Sequence, residues 1–280
     1  MEKYMGDFSI RGIRFGDGIP KIFVPVTERT SEYILKKAKD ITEKADELEK
    51  MYPESTAARL TGLELRADFF DKVTEREALQ ELLSGLRRIV KDRLLLFTYR
   101  SEEEGGELRH DRAEAMIPDI YSRVIECEKA DLIDVELGSG NYRVARIAVG
   151  AHSHNMGVIM SFHDFHETIH TERAIQMMQD MVTLGADILK IAVMPETEMD
   201  VERMTDLSMQ VNGVIPSDHL FSKPAVIISM GEMGRESRIN GFTTGSVITF
   251  AAAGKTSAPG QYSMEEIFRI FAEQESVVNR

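Results

Sequence analysis

The stretch Ile188-Leu189-Lys190-Ile191-Ala192-Val193 decides how this chain is read. It is apolar and β-branched, lies between Gly185 and Pro195, and has the look of a strand buried in a parallel sheet. Alternation puts Ile188, Lys190 and Ala192 on one face and the bulkier Leu189, Ile191 and Val193 on the other. The bulkier set suits packing against helices, so Lys190 is expected to point the opposite way. An ammonium group in such a strand must be paired, neutralised or used. Desolvation favours the neutral form of an amine, which is the form that attacks carbonyls. Two readings of Lys190 are open at this level: an imine-forming nucleophile, or a lysine whose stem reaches a partner carboxylate or the strand edge.

Outward from this strand, similar runs recur along the whole chain. They begin near Lys21 (IFVPV), Gly62 (LELRADFF), Arg93 (LLLFTYR), Asp131 (LIDVEL), Gly157 (VIMSFH), Pro224 (AVIISM) and Gly245 (SVITFA). Between them lie amphipathic helical patterns over Thr30–Met51, Glu75–Lys91, Arg112–Lys129, Thr171–Leu184, Glu198–Val211 and Met264–Val278, the last preceded by Ser263 as an N-cap. Strand–helix alternation implies a parallel sheet with right-handed crossovers. Eight strand candidates favour a closed (β/α)8 TIM barrel over a doubly wound open sheet, since no GxGxxG turn follows the first strand. The segment Phe8–Phe15 alternates and reads as a short N-terminal β-hairpin closing the barrel bottom. No linker or low-complexity segment interrupts the pattern, so one domain is expected over residues 1–280.

The formal net charge of −13 argues against nucleic acid or an anionic membrane as partner. A small anionic substrate would need a local cluster of Arg and Lys. No apolar stretch approaches the roughly 20 residues of a membrane helix, and the N-terminus has no apolar signal core. The single cysteine, Cys127, cannot form an internal disulfide, which fits a reducing compartment, and its neighbours Glu126 and Glu128 disfavour a thiolate. A cytoplasmic protein is the expectation. The seven histidines match no HExxH or Cys/His spacing, so neither a metal nor another cofactor is expected.

Barrel chemistry collects at the C-terminal ends of the strands. That rule assembles Glu64, Arg66 and Asp68, then Arg100 and Glu104, then Asp134 and Glu136, His163, Lys190, Arg238, and the SAPGQ loop from Ser257 to Gln261. Glu64, Arg66 and Asp68 stand at alternate positions and are expected to point one way. A supporting charge network is the simpler reading for most of the acids and for Arg66. His163 ends the strand before Lys190, where it could exchange protons beside a carbonyl carbon activated by the lysine. Glu104 could accept a hydrogen bond from its ring, and Gly105-Gly106 would allow the turn that brings that loop inward. Glu102 and Glu103 read as solvated.

With these residues in place, the chain resembles the type I 3-dehydroquinate dehydratases of the shikimate pathway. The resemblance lies in Glu64-Leu65-Arg66-Ala67-Asp68, Phe97-Thr98-Tyr99-Arg100-Ser101 with Glu104-Gly105-Gly106-Glu107, and His163-Asp164-Phe165-His166. It continues through Lys190–Pro195, Met230-Gly231-Glu232-Met233-Gly234 with Ser237-Arg238, and Ser257–Gln261, in family order over nearly the whole chain. The resemblance implies a barrel enzyme that removes water from 3-dehydroquinate by syn elimination through a lysine imine. It implies Lys190 as nucleophile, His163 as acid–base group and Glu104 as its orienting partner. It further implies that Arg238 grips the substrate carboxylate, and that Glu64, Arg66 and Arg100 contact substrate hydroxyls or support the lysine. Ser257 and Gln261 would lie on a lid loop, and a homodimer is expected. Pro25 stands where many members carry a serine, which removes one hydroxyl contact, and Leu65 replaces a tryptophan on the helix-facing side. Two alternatives are another Schiff-base barrel such as a class I aldolase, which would need neither the His163–Glu104 pair nor Arg238, and a catalytically silent binding barrel.

Overall fold

The apolar runs become strands because their alternate residues find two different apolar surroundings. In the computed structural model, which describes residues 6–107, 116–215, 221–254 and 258–278, a hairpin of β1 (Phe8–Ile10) and β2 (Ile13–Phe15) precedes an eight-stranded parallel sheet. The sheet strands are β3 (Lys21–Val26), β4 (Leu60–Arg66), β5 (Leu94–Thr98), β6 (Leu132–Glu136), β7 (Gly157–Asp164), β8 (Ile188–Val193), β9 (Ala225–Ser229) and β10 (Ile248–Phe250). Each is followed by a helix: α1 (Ser31–Met51), α2 (Arg76–Val90), α3 (Ile117–Cys127), α4 (Asn141–Ser153), α5 (Thr171–Thr183), α6 (Glu198–Val211), the single turn α7 (Gly241–Thr244) and α8 (Met264–Val278). Sequential strands pair in order, β10 returns to β3, and the Val247 N–H donates to the Ala225 carbonyl across the remaining seam. The result is a (β/α)8 barrel.

Two apolar populations separate as alternation requires. Leu189, Ile191 and Val193 join the large cluster between sheet and helices, whereas Ile188 and Ala192 join the smaller cluster inside the barrel with Phe23, Leu96, Ile159, Val226 and Phe250. Lys190 therefore shares the interior face. Leu65 lies in the outer cluster. Pro25 is paired in register with Glu64. Its parity matches Lys21 and Phe23, whose backbones bond toward β10, and β10 ends at Phe250.

The hairpin closes the lower end. Its turn falls at Arg11 and Gly12, both at positive φ (48° and 77°), the two-residue geometry that matches strand twist. Phe15 is fully buried in the interior cluster, Phe8 stacks on it at 6.1 Å, and the Phe8 ring occupies the space a side chain at Gly157 would need. Gly157 opens β7, so the contact is at the N-terminal rim of the barrel.

Several expectations shift in detail. Thr30 caps α1, and Ser263 and Glu266 exchange hydrogen bonds as a capping box at α8. The helix anticipated over Arg112–Lys129 is described from Ile117; residues 108–115 lie outside the described residues. Helix α4 was absent from the sequence reading: its apolar face is narrow (Val144, Ile147, Ala148, Ala151) and follows Gly138-Ser139-Gly140, a turn signature. The run from Gly62 also ends earlier than its apolar content suggests. Strand β4 stops at Arg66 and a 3-10 turn over Ala67–Phe69 follows, so Asp68 does not continue the alternation of Glu64 and Arg66. It folds back to accept two hydrogen bonds from Arg66, at 2.9 and 2.8 Å.

Candidate active site

The C-terminal ends of the strands surround a cleft lined among others by Glu64, Arg66, Arg100, Glu104, His163, Lys190, Arg238 and Gln261. Eight of the nine residues expected to carry function thus meet at one place. Ser257 lies outside the described residues. Strands β4, β7 and β8 supply Glu64, Arg66, His163 and Lys190 directly, and the segments after β5 and β9 supply Arg100, Glu104 and Arg238.

Lys190 is 5% exposed and its Nζ lies 3.0 Å from Asp134 Oδ2 and 4.6 Å from the centre of the Phe250 ring. Asp134 is wholly buried, and its Oδ1 accepts from Arg100 Nη2 at 2.8 Å and from the Ser161 hydroxyl at 2.6 Å. Burial alone would raise its carboxyl, but Arg100, Lys190 and the Ser161 hydrogen bond hold it down at about 2. Asp134 is accordingly a permanent anion. Sequence reasoning placed Asp134 in a supporting network and did not pair it with Lys190. Its spacing two residues before Glu136 put it on the interior face, but which interior acid the Lys190 side chain reaches is set by packing across the intervening β7.

Arg100 binds this acidic floor together. Its Nη1 donates to Ser161 Oγ (2.9 Å), Glu136 (3.1 Å) and Glu104 (3.4 Å). Burial opposes its charge, and Asp134, Glu136 and Glu104 more than restore it, so the guanidinium titrates above its ordinary value. Glu136 also accepts from the Ser101 N–H at 2.8 Å, which anchors the start of the loop that carries Glu104. Within that loop Glu102 and Glu103 are exposed and Glu104 turns inward.

His163 meets Glu104 twice. Its backbone N–H donates to Oε2 at 3.1 Å, and its Nδ1 lies 2.8 Å from the same oxygen. Because Oε2 also receives Arg100, it acts as an acceptor, and Nδ1 must be the donor. The neutral imidazole then carries its lone pair on Nε2. Burial, with Arg100, Lys190, Arg66 and Arg238 nearby, pushes the imidazole well below its ordinary value. Burial, assisted by Glu136 and opposed by Arg100, pushes the Glu104 carboxyl up to about 9.

The remaining cations are disposed differently. Arg66 is spent on Asp68, and Glu64 accepts from Thr98 at 2.8 Å. Arg238, in the 3-10 turn Arg235–Arg238, is 4% exposed; Nη2 donates to the Pro259 carbonyl at 2.9 Å and Nε has no partner among the described residues. No carboxylate pairs with it among the described residues, and burial draws its guanidinium down to about 10.

The model of the type I 3-dehydroquinase family matches residues 22–276. The chain belongs to that family. Among curated relatives, the 3-dehydroquinate dehydratase of Salmonella typhimurium is 35% identical over 263 residues, covering 94% of this chain and 96% of the relative. That of Bacillus subtilis is 33% identical, covering 94% and 95%. A type I 3-dehydroquinate dehydratase from Clostridium difficile, solved with covalently modified comenic acid, superposes with a TM-score of 0.84 at 32% identity and covers 97% of this chain and 98% of its own. The chain is thus a type I 3-dehydroquinate dehydratase, a hydro-lyase acting on a small molecule. Among the described residues no helix is long and apolar enough to cross a membrane, and no group of three or more His, Cys, Asp or Glu side chains is placed to hold a metal ion.

Proposed function

We propose that the dehydration of 3-dehydroquinate to 3-dehydroshikimate runs here through an imine on Lys190, with His163 as the single acid–base group. The observation that carries this is a buried lysine in the same cleft as a neutral imidazole whose Nδ1 is committed to Glu104. The amine of Lys190 adds to the substrate ketone, and loss of water from the adduct gives a protonated imine. That imine is a better electron sink than the ketone, so the adjacent C–H becomes acidic enough for Nε2 of His163 to remove its proton. The electron pair forms an enamine. It then expels the hydroxyl one carbon further on, which takes its proton from the imidazolium. One imidazole serves both steps because the proton and the hydroxyl leave from the same face, a syn elimination. Hydrolysis of the product imine restores Lys190.

Arg238 is assigned to the substrate carboxylate, since its charge is uncompensated by any acid among the described residues. Arg100 and Arg66 are assigned to support, because each is already satisfied by acids. Glu64 has one oxygen bonded to Thr98 and is assigned to a substrate hydroxyl. Gln261 lines the cleft and, with Ser257, is assigned to a loop that closes over substrate. A cytoplasmic homodimer follows from the same family reading.

Borohydride added with 3-dehydroquinate should reduce the imine and leave a covalent adduct, read by peptide mass spectrometry on Lys190. Lys190→Ala should leave none. An adduct on another lysine, or no adduct from a turning-over enzyme, refutes the imine on Lys190.

A further inference from the structure

Ser161 lies between the nucleophile and the acids, wholly buried on β7 and absent from the cleft wall. Its register places it beside Glu136 of β6 on one side and Lys190 of β8 on the other. Its hydroxyl gives its one proton to Asp134 Oδ1 at 2.6 Å and accepts from Arg100 Nη1 at 2.9 Å. Arg100 Nη2 reaches the same Oδ1 at 2.8 Å. The two oxygens of Asp134 are therefore divided: Oδ1 is fixed by Ser161 and Arg100, while Oδ2 faces Lys190 Nζ at 3.0 Å.

We propose that Ser161 and Asp134 are positioning residues for Lys190, with Ser161 locking Asp134 so that its second oxygen stays against the reacting nitrogen throughout the cycle. The proposal rests on the imine reading above. The nitrogen bears positive charge in the protonated imine and is neutral in the enamine. A carboxylate held rigidly beside it favours the protonated imine, which is the electron sink, and does so without reorganising. A carboxylate free to rotate would follow Arg100 instead, because that guanidinium offers two nitrogens where the imine offers one N–H. The Ser161 hydroxyl removes that freedom by filling the remaining site on Oδ1. Neither residue lines the cleft, so their loss should act on turnover and not on binding.

Ser161→Ala deletes the lock and leaves the other partners in place. We expect kcat to fall on the order of 10- to 100-fold, the range for a small misplacement of a reacting group, with KM within about twofold. Ser161→Thr, which keeps the hydroxyl on a strand tolerant of β-branching, should recover most of the loss. Thermal unfolding of each variant shows whether it is folded, and Ser161→Cys replaces the threonine variant if the added methyl does not fit. A second readout does not depend on the enzymatic imine. Formaldehyde with cyanoborohydride methylates free amines, and the extent at Lys190 is read by peptide mass spectrometry. Both Ser161→Ala and Asp134→Asn should methylate Lys190 faster than the parent protein, because the amine is released from its ion pair. Unchanged methylation in both variants, or a kcat loss matched by an equal rise in KM, overturns the proposal. If the parent protein turns over without a borohydride adduct on Lys190, the imine reading fails, and the methylation rates still decide whether Ser161 and Asp134 hold the lysine.

Discussion

At the scale of single residues, burial selects protonation states. The imidazole of His163 is driven well below its ordinary value of 6.5 because a desolvated ring among four cations resists a further charge. It is therefore a base in neutral solution, and the acid limb of kcat/KM is expected below pH 6.5; a limb above that value would contradict the assignment. Replacing His163 by Ala should leave imine formation intact while lowering kcat by roughly 10²–10⁴, the usual worth of a positioned acid–base group. Borohydride trapping with a stalled turnover assay checks both halves, and near-normal turnover would remove His163 from the chemistry. Much of this residue-scale picture was legible in the sequence: Lys190, His163 and Glu104 each occupy a strand end or loop that barrel topology turns inward. The partnership of Asp134 with Lys190 was not. Residues 134 and 190 lie on strands separated by β7, and nothing in either run encodes their approach to 3.0 Å.

At the scale of elements, the loop after β5 tolerates little change. Gly105 holds φ +82°, and a Cβ there would sit 2.4 Å from the Phe165 ring; at Gly106 it would sit 2.1 Å from the Arg100 carbonyl. The loop carries Glu104 to His163 and is pinned at its start by the Ser101 N–H to Glu136 bond. Gly105→Ala should cost about 1–3 kcal/mol through backbone strain alone. It should also lower kcat by displacing Glu104 while circular dichroism remains native. Normal activity in this variant would mean that the loop position does not set the His163–Glu104 geometry. The glycine pair advertised a turn here, whereas its direction depended on Phe165 from β7's end. Helix α4 makes the converse point: a narrow apolar face behind a glycine-rich turn reads as loop, and packing against the rest of the barrel makes it a helix.

For the whole molecule, the buried acids write a pH dependence of stability with opposing signs. Asp134 has a depressed folded value near 2 against an unfolded 3.8, so its contribution is present above pH 3.8 and is lost as pH falls through about 2. Glu104 is raised to about 9 from 4.5, so its contribution is present below pH 4.5 and is lost as pH rises through about 9. Glu104→Gln should therefore gain thermal stability relative to the parent as pH climbs from 4.5 toward 9, with little difference near pH 4. Melting temperatures across that range test it, and a constant offset would show that Glu104 does not titrate with a raised value in the folded protein.

The sequence by itself determined the barrel, the inward face of β8 and the position of almost every cleft residue, because period-two alternation and strand–helix order are local properties of the chain. It also carried the family resemblance that the comparisons bear out. Only the tertiary structure decided how charge is shared: which acid serves Lys190, which cations are spent, and that Arg238 stands without a carboxylate among the described residues. Those pairings depend on laying the strands side by side around a dry interior, which brings Arg100, Asp134 and Lys190, far apart in sequence, within hydrogen-bonding distance. There a few tenths of an ångström decide which group is compensated and which remains available for substrate.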